Sequence, residues 1–279
     1  MSRNRYPLRR LAAVLGLAVL AGCTGMNTTQ SGAIGVNRTQ YMSSMVPSQA
    51  LEQEANQQYA DILKQAQAKN LLDRDAQQVA RVRAISQRLI AQAGVFRPDA
   101  SGWKWEVHVL TSDEINAWCM PGGKIAVYTG LINKIKPSDD ELAAVLGHEI
   151  SHALREHARE RVSQQMATNL GLQVLSIATG SSAASDLGGQ LTSVMFTLPN
   201  SRTHETEADR MGVELAARAG FDPRAAVTLW QKMGAADSGN APPEILSTHP
   251  SAASRITDLQ AAAQQVLPLY EQSKGRAAR

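Results

Sequence analysis

His148 and His152 stand four residues apart, with Glu149 beside the first, inside the stretch Leu142 to His157 that reads LAAVLGHEISHALREH. On a helix, residues four apart differ by about 40° around the axis, so both imidazoles leave one face one turn apart and can share one metal ion. Glu149 lies roughly 100° further round, too far to be an equivalent ligand but near enough to reach a water held on that metal. This is the arrangement of a metal-activated water with its general base. Two ordinary helix histidines are the competing reading, and residues further down the chain weigh against it.

Those residues are Glu205 and Asp209, again four apart, in Ser201 to Ala219 (SRTHETEADRMGVELAARA). A catalytic zinc site takes three protein ligands and keeps one open position, and Glu205 can supply the third. Asp209, one turn on, can hydrogen-bond the free nitrogen of a ligand histidine and fix its tautomer. His204 and Glu207 compete for the third-ligand role but lie about 100° and 200° off the Glu205 face. His157, five residues after His152, points about 140° away and falls outside the site. Ala143, Ala144 and Gly147 on the first helix, and Ala208, Gly212 and Ala216 on the second, are small residues that would let the two helices lie close together.

The pair His148-Glu149-x-x-His152 and Glu205-Thr206-Glu207-Ala208-Asp209, with the segments PGGKIAVYTGL and SRTHETEAD, resembles peptidase family forty-eight of the metallopeptidases, the HtpX/Oma/CAAX prenyl protease type, and within it the periplasmic LoiP/BepA-like lipoprotein proteases. The likeness covers roughly Leu51 to Leu267. It implies an α+β, mostly helical fold, a gluzincin-type zinc metallopeptidase core with a small β-sheet, one Zn2+ per chain, and Glu205 as ligand. The glycine and third histidine of the metzincin pattern are missing, which excludes that class. In peptidases of this kind an edge strand holds the substrate backbone, a role that would fall to Lys124, Ile125, Ala126, Val127 and Tyr128; a plain structural strand is the alternative. His249, in Thr248-His249-Pro250-Ser251, matches a His-Pro loop in which BepA-like relatives carry a histidine that fills the open zinc position and holds the enzyme inactive; otherwise it is a loop histidine packed near a helix start. Arg255 resembles a family arginine near the cleft, serving either as oxyanion support or in a structural salt bridge.

Several elements must position these groups. Ser138 or Asp139 caps the metal helix, with Glu141 favourable in its first turn. The pattern predicts this helix through His157 and onward past Val162. Helices are expected over Leu51 to Lys69 and Asp73 to Ala93, the second capped by Asp73 and stopped by Gly94. Trp103 to Leu110 alternates as a strand, with His108 a solvent-facing or hydrogen-bonded strand histidine. Pro121-Gly122-Gly123 makes a turn into the strand Lys124 to Tyr128, and Leu131 to Ile135 a helical turn. Glycines and serines around residue 180 interrupt the helical pattern. Leu191 to Leu198 is apolar and reads as core, membrane contact or cleft lining. Asp222-Pro223 starts a helix through Trp230 and Met233; Asp237 to Ser247 is a loop; Pro250 opens a last helix to about Val266.

The net charge of +3 is scattered apart from Arg3, Arg5, Arg9 and Arg10, so nothing resembles a nucleic-acid surface. That cluster precedes the apolar run Leu11 to Ala21, and residues 1–22 read as a secretory signal peptide. Leu20-Ala21-Gly22-Cys23 resembles the bacterial lipobox, which implies lipidation of Cys23. Thr24 stands where an aspartate would favour the inner membrane, so the expected location is the periplasm, anchored to the outer membrane. Residues 23–50 are expected to be the lipidated cysteine and a flexible tether, 51–267 the metallopeptidase domain, and 268–279 a disordered basic tail. With Cys23 acylated, Cys119 has no disulfide partner. The expected function is a zinc-dependent endopeptidase that hydrolyses misfolded or damaged envelope proteins. Its expected partners are those substrates, the membrane through the anchor, and a second copy or other envelope quality-control proteins. The rival is a non-proteolytic periplasmic chaperone or adaptor lipoprotein with a structural or latched zinc.

Overall fold

The computed structural model describes residues 23–177, 187–236, 243–250 and 253–277. The signal-peptide reading, most of the glycine- and serine-rich interruption, residues 237–242 of the Asp237–Ser247 loop and the last two residues lie outside them. The described chain is mainly helical, with two small sheets.

Helices α1 (Ser48–Ala68) and α2 (Ala76–Ala93) come first, followed by strands β3 (Glu106–Leu110), β4 (Ala117–Met120) and β5 (Lys124–Tyr128). Their order in the sheet is β3-β5-β4, with β5 parallel to β3 and antiparallel to β4. Side chains alternate across a strand, and here the alternation divides two cores. Ala117, Cys119, Ile125 and Val127 face the larger core beneath α2 and the metal helix. Trp118, Met120 and Ala126 face a smaller one shared with Leu51 and Tyr59 of α1 and with Leu191. With both faces covered, β4 is buried along its whole length, which is why no polar alternation marks it in the sequence.

The metal helix α3 (Asp139–Leu154) begins at a capping box: Ser138 Oγ accepts from the Glu141 backbone N–H, and the Glu141 carboxylate accepts from the Ser138 N–H. It ends earlier than the periodicity suggested. Glu156 adopts a left-handed conformation (φ 51°), so the chain turns and restarts as α4 (His157–Ile177). Then come α5 (Leu187–Phe196), α6 (Arg202–Arg218, capped by Ser201), α7 (Ala225–Ala236), α8 (Glu244–Thr248) and α9 (Ala253–Ala277). Among the described residues α3 and α6 make the most extensive helix–helix contact, with Gly147 and Gly212 at its closest approach. Among the described residues no helix is long and apolar enough to cross a membrane.

Three expectations need correction. The N-cap of α2 is Asp75, whose side chain accepts from the N–H groups of Gln77 and Gln78. Asp73 instead turns the chain with φ 49° and accepts from the Val109 N–H, with His108 and Arg83 on its other oxygen. Residues 268–277 continue α9, because Tyr270 is buried in the core and Ser273 bonds the carbonyl of Ala217, which outweighs the hydrogen bond that Pro268 removes. The segment 23–46 is folded onto the body. β1 (Cys23–Met26) pairs with β2 (Gln40–Ser43), the N–H groups of Ala33 and Ile34 bond the buried Glu214 carboxylate, and Arg38 pairs with Glu160 and Glu207. Its polar composition hides this, because the segment is held by half-buried ion pairs and backbone bonds, with few large apolar side chains to signal a core.

Candidate metal centre

α3 presents His148 and His152 toward α6, and α6 returns Glu205 and Asp209; the loop after α8 adds His249. Four ligand-type atoms converge there. His148 Nε2 lies 3.0 Å from His152 Nε2, 3.2 Å from His249 Nδ1 and 3.6 Å from Glu205 Oε2. Glu205 Oε1 lies 3.4 Å from His152 Nε2 and 3.0 Å from His249 Nδ1. A tetrahedral zinc with bonds of about 2.0–2.1 Å holds its ligand atoms roughly 3.3–3.4 Å apart, which these separations bracket. The residues therefore fit the ion that the motif implies, and all four are buried or nearly so.

Proton bookkeeping supports the same conclusion. Asp209 Oδ1 sits 3.0 Å from His148 Nδ1, and a carboxylate accepts, so Nδ1 carries the proton and Nε2 turns a lone pair into the centre. Arg255 holds Asp209 with a two-pronged contact, Nε to Oδ2 at 2.8 Å and one terminal nitrogen to Oδ1 at 2.7 Å. Its other terminal nitrogen reaches Glu205 Oε2 at 2.9 Å, and its guanidinium lies 3.9 Å from the Trp230 ring centre. Of the two readings for Arg255, the salt bridge is the one its contacts make. It positions the carboxylates of Asp209 and Glu205.

The charges shape one another. Burial would raise the Glu205 carboxyl, but His249 and His148 bring it well below the ordinary range. For Asp209 burial is likewise outweighed, here by Arg255. Burial pushes the His152 imidazole well down, keeping it in the neutral form a metal needs. Glu149 moves the other way, raised by burial, and its Oε1 makes no hydrogen bond; His249 Nε2 lies 3.6 Å from it. A buried carboxylate with a raised pKa and an unbonded oxygen beside the cluster suits a general base that must later act as an acid.

A cleft opens beside Glu149, His152 and His249, bordered by Asn116, by Ala117 to Cys119 of β4, by Trp103, and by Val194 to Phe196 of α5. Of the two readings for Lys124, Ile125, Ala126, Val127 and Tyr128, an edge strand for substrate and a plain structural strand, the sheet order fits the second. β5 is the central strand, its backbone groups paired on both sides, and the free edge facing the cleft belongs to β4. Lys124 is itself buried, bonding the Lys104 carbonyl and the Glu106 carboxylate. The run AWCM directly before a Pro-Gly-Gly turn was the available signal for β4, as the first arm of a hairpin. Leu191 to Leu198 contributes core residues, Leu191 and Val194, and cleft lining, Met195 and Phe196.

His204 and Glu207 stand outside the cluster: His204 Nε2 meets Glu160, and Glu207 meets Arg155, Arg38 and His157. His157 is not a ligand, but its Nδ1 lies 2.8 Å from the outer nitrogen of His152. Asn200, unmarked in the sequence, donates its backbone N–H to the Thr248 carbonyl and puts its side-chain nitrogen 3.3 Å from His249 Nδ1. Cys119 is a buried free thiol.

Residues 76–263 match the model of Peptidase family M48. The chain is 37% identical over 212 residues to the mitochondrial metalloendopeptidase OMA1 of Bos taurus, covering 72% of this chain and 40% of that one. It is 39% identical over 170 residues to the Arabidopsis thaliana OMA1, covering 61% and 34%. It is 32% identical over 205 residues to the beta-barrel assembly-enhancing protease of Escherichia coli K12, covering 69% and 40%. The chain thus spans well under half the length of these relatives.

Proposed function

The chain belongs to peptidase family M48, and from that membership and the geometry of its cleft we propose that it is a zinc-dependent endopeptidase of the bacterial cell envelope, acting on misfolded or damaged envelope proteins. One observation carries the reading: four nitrogen and oxygen ligand atoms meet at zinc-like spacing beside a buried carboxylate with an unbonded oxygen.

In this reading His148, His152 and Glu205 would hold one Zn2+, which would supply Lewis-acid polarisation of a carbonyl and acidify water. Glu149 takes the proton of the attacking water and delivers it to the departing amine. The free edge of β4 receives an extended peptide by strand addition, which suits unfolded polypeptide because the contacts are to backbone. Asp209 and Arg255 hold the ligands in register. In the same reading His249 would be a fourth ligand closing the open position, and activity would require the His249 loop to move.

The envelope location rests on the signal-like residues 1–22 and the lipobox-like Leu20 to Cys23. An anchor at Cys23, the first residue of β1, would hold the body against the outer membrane. Tyr41 and Met45, large exposed apolar side chains, lie on or just after the strand paired with Cys23, where they could meet lipid. A second copy or other quality-control proteins are the partners this location offers.

The test is zinc content and cleavage of an unfolded polypeptide by the purified protein. About one zinc per chain and cleavage abolished by a chelator and restored by zinc support the reading; a zinc-loaded protein, freed of its latch, that cuts nothing refutes it.

A further inference from the structure

We propose that His157 is a positioning residue of the metal site: it sets which nitrogen of His152 carries the proton, and Glu207, clamped by Arg155 and Arg38, sets the proton on His157.

The ring of His157 is buried and stacked on His204, centroids 4.4 Å apart and planes 17° from parallel. Its Nε2 lies 3.0 Å from Glu207 Oε2. A carboxylate can only accept, so Nε2 is the protonated nitrogen of His157. Its Nδ1 is then an acceptor, and the atom it faces at 2.8 Å, His152 Nδ1, must donate. The remaining nitrogen of His152, Nε2, is left with a bare lone pair directed at Glu205 and His148. Reversed protons would put an N–H where a metal must bind.

Glu207 does not require a charged His157. It already receives Arg155 at 3.0 Å and Arg38 at 2.7 Å, two full positive charges. The two ligand histidines are thus oriented from the same helix by different means. Asp209 acts on His148 directly, whereas Glu207 acts on His152 through an intervening imidazole. Arg38 comes from the amino-terminal segment, outside the stretch that matches the family, so that segment supports the metal site from behind.

The inference rests on the metal-site reading of His152, and its test separates the two. Zinc affinity of the full chain is measured by chelator competition for wild type, His157→Phe and His157→Asn. Phenylalanine keeps the stacking and removes both polar contacts; asparagine restores an oxygen acceptor near the lost Nδ1. The expected result is a loss of about 10–100-fold for His157→Phe and recovery to within a few-fold by His157→Asn. Equal affinity for wild type and His157→Phe overturns the proposal. Nitrogen-15 spectra of histidine-labelled, zinc-free wild type give a second readout that needs no variant to fold. The Nδ1–H tautomer at His152 and Nε2–H at His157 are expected, and the reverse at either residue overturns it. Wild type that binds no zinc would refute the metal-site reading while the spectra still decide the proton relay.

Discussion

Gly147 of the metal helix and Gly212 of α6 meet backbone to backbone. A Cβ on Gly147 would stand 2.8 Å from the Gly212 carbonyl oxygen, and one on Gly212 would stand 2.7 Å from the His148 amide nitrogen. This contact brings Glu205 and Asp209 within reach of His148, because any larger residue at either position would force the helices apart.

Alanine at Gly212 should therefore cost more than its volume suggests. Backbone atoms cannot swing aside, so overpacking of about 1–3 kcal/mol is expected. Calorimetry should show a drop of several degrees in thermal midpoint, and zinc affinity should fall with it. A variant with unchanged midpoint and affinity would mean that the helices slide freely.

Asp209→Asn keeps the size of the side chain but exchanges a pure acceptor for a group that can present N–H to His148 Nδ1. Zinc affinity should fall about 10–100-fold, and Arg255→Leu should fall by a comparable factor, since it releases both Asp209 and Glu205. Chelator competition measures both.

Removing the fourth ligand should expose the open position. His249→Ala is expected to keep close to one zinc per chain and to cleave an unfolded protein faster than wild type. Asn200→Ala, which releases the side-chain contact to His249, should shift activity in the same direction by less. An His249→Ala enzyme no faster than wild type removes the latch.

Acid should unfold the protein through its buried carboxylates. Burial alone would raise Glu160, yet Arg38 and His204 hold it far below the ordinary range, and Glu207 is brought to about 2 against burial by His157 and Arg38. From about pH 4.5 downward the unfolded chain takes up protons that the folded chain refuses, so stability falls as pH falls. In Arg38→Met the thermal midpoint at pH 7 should drop, and its decline below pH 4.5 should be shallower than in wild type. Parallel curves for the two proteins would contradict the assignment.

The chemistry was easier to read in the sequence than the scaffold. Four-residue spacing puts His148 with His152, and Glu205 with Asp209, on one face of each helix, whereas joining the two pairs at one centre rested on the family likeness and, in the fold, on the contact of α3 with α6. The pairing of β4 with β5 was missed because β4 is buried on both faces and carries no alternation. The amino-terminal segment was missed because Arg38, Gln40 and the backbone of Ala33 and Ile34 hold it through partners more than a hundred residues away, which no local pattern encodes. Arg255 and His157 were legible as residues but not in role, since each acts through a tertiary contact.

The most direct measurement is the paired zinc content and cleavage rate of Glu149→Gln, made in the unlatched His249→Ala background. The account predicts that zinc stays at about one per chain while cleavage of an unfolded protein falls by at least about 10²-fold, the contribution of a general base. Retained zinc with undiminished cleavage would contradict it, because the carboxylate beside the metal would then have no part in the chemistry.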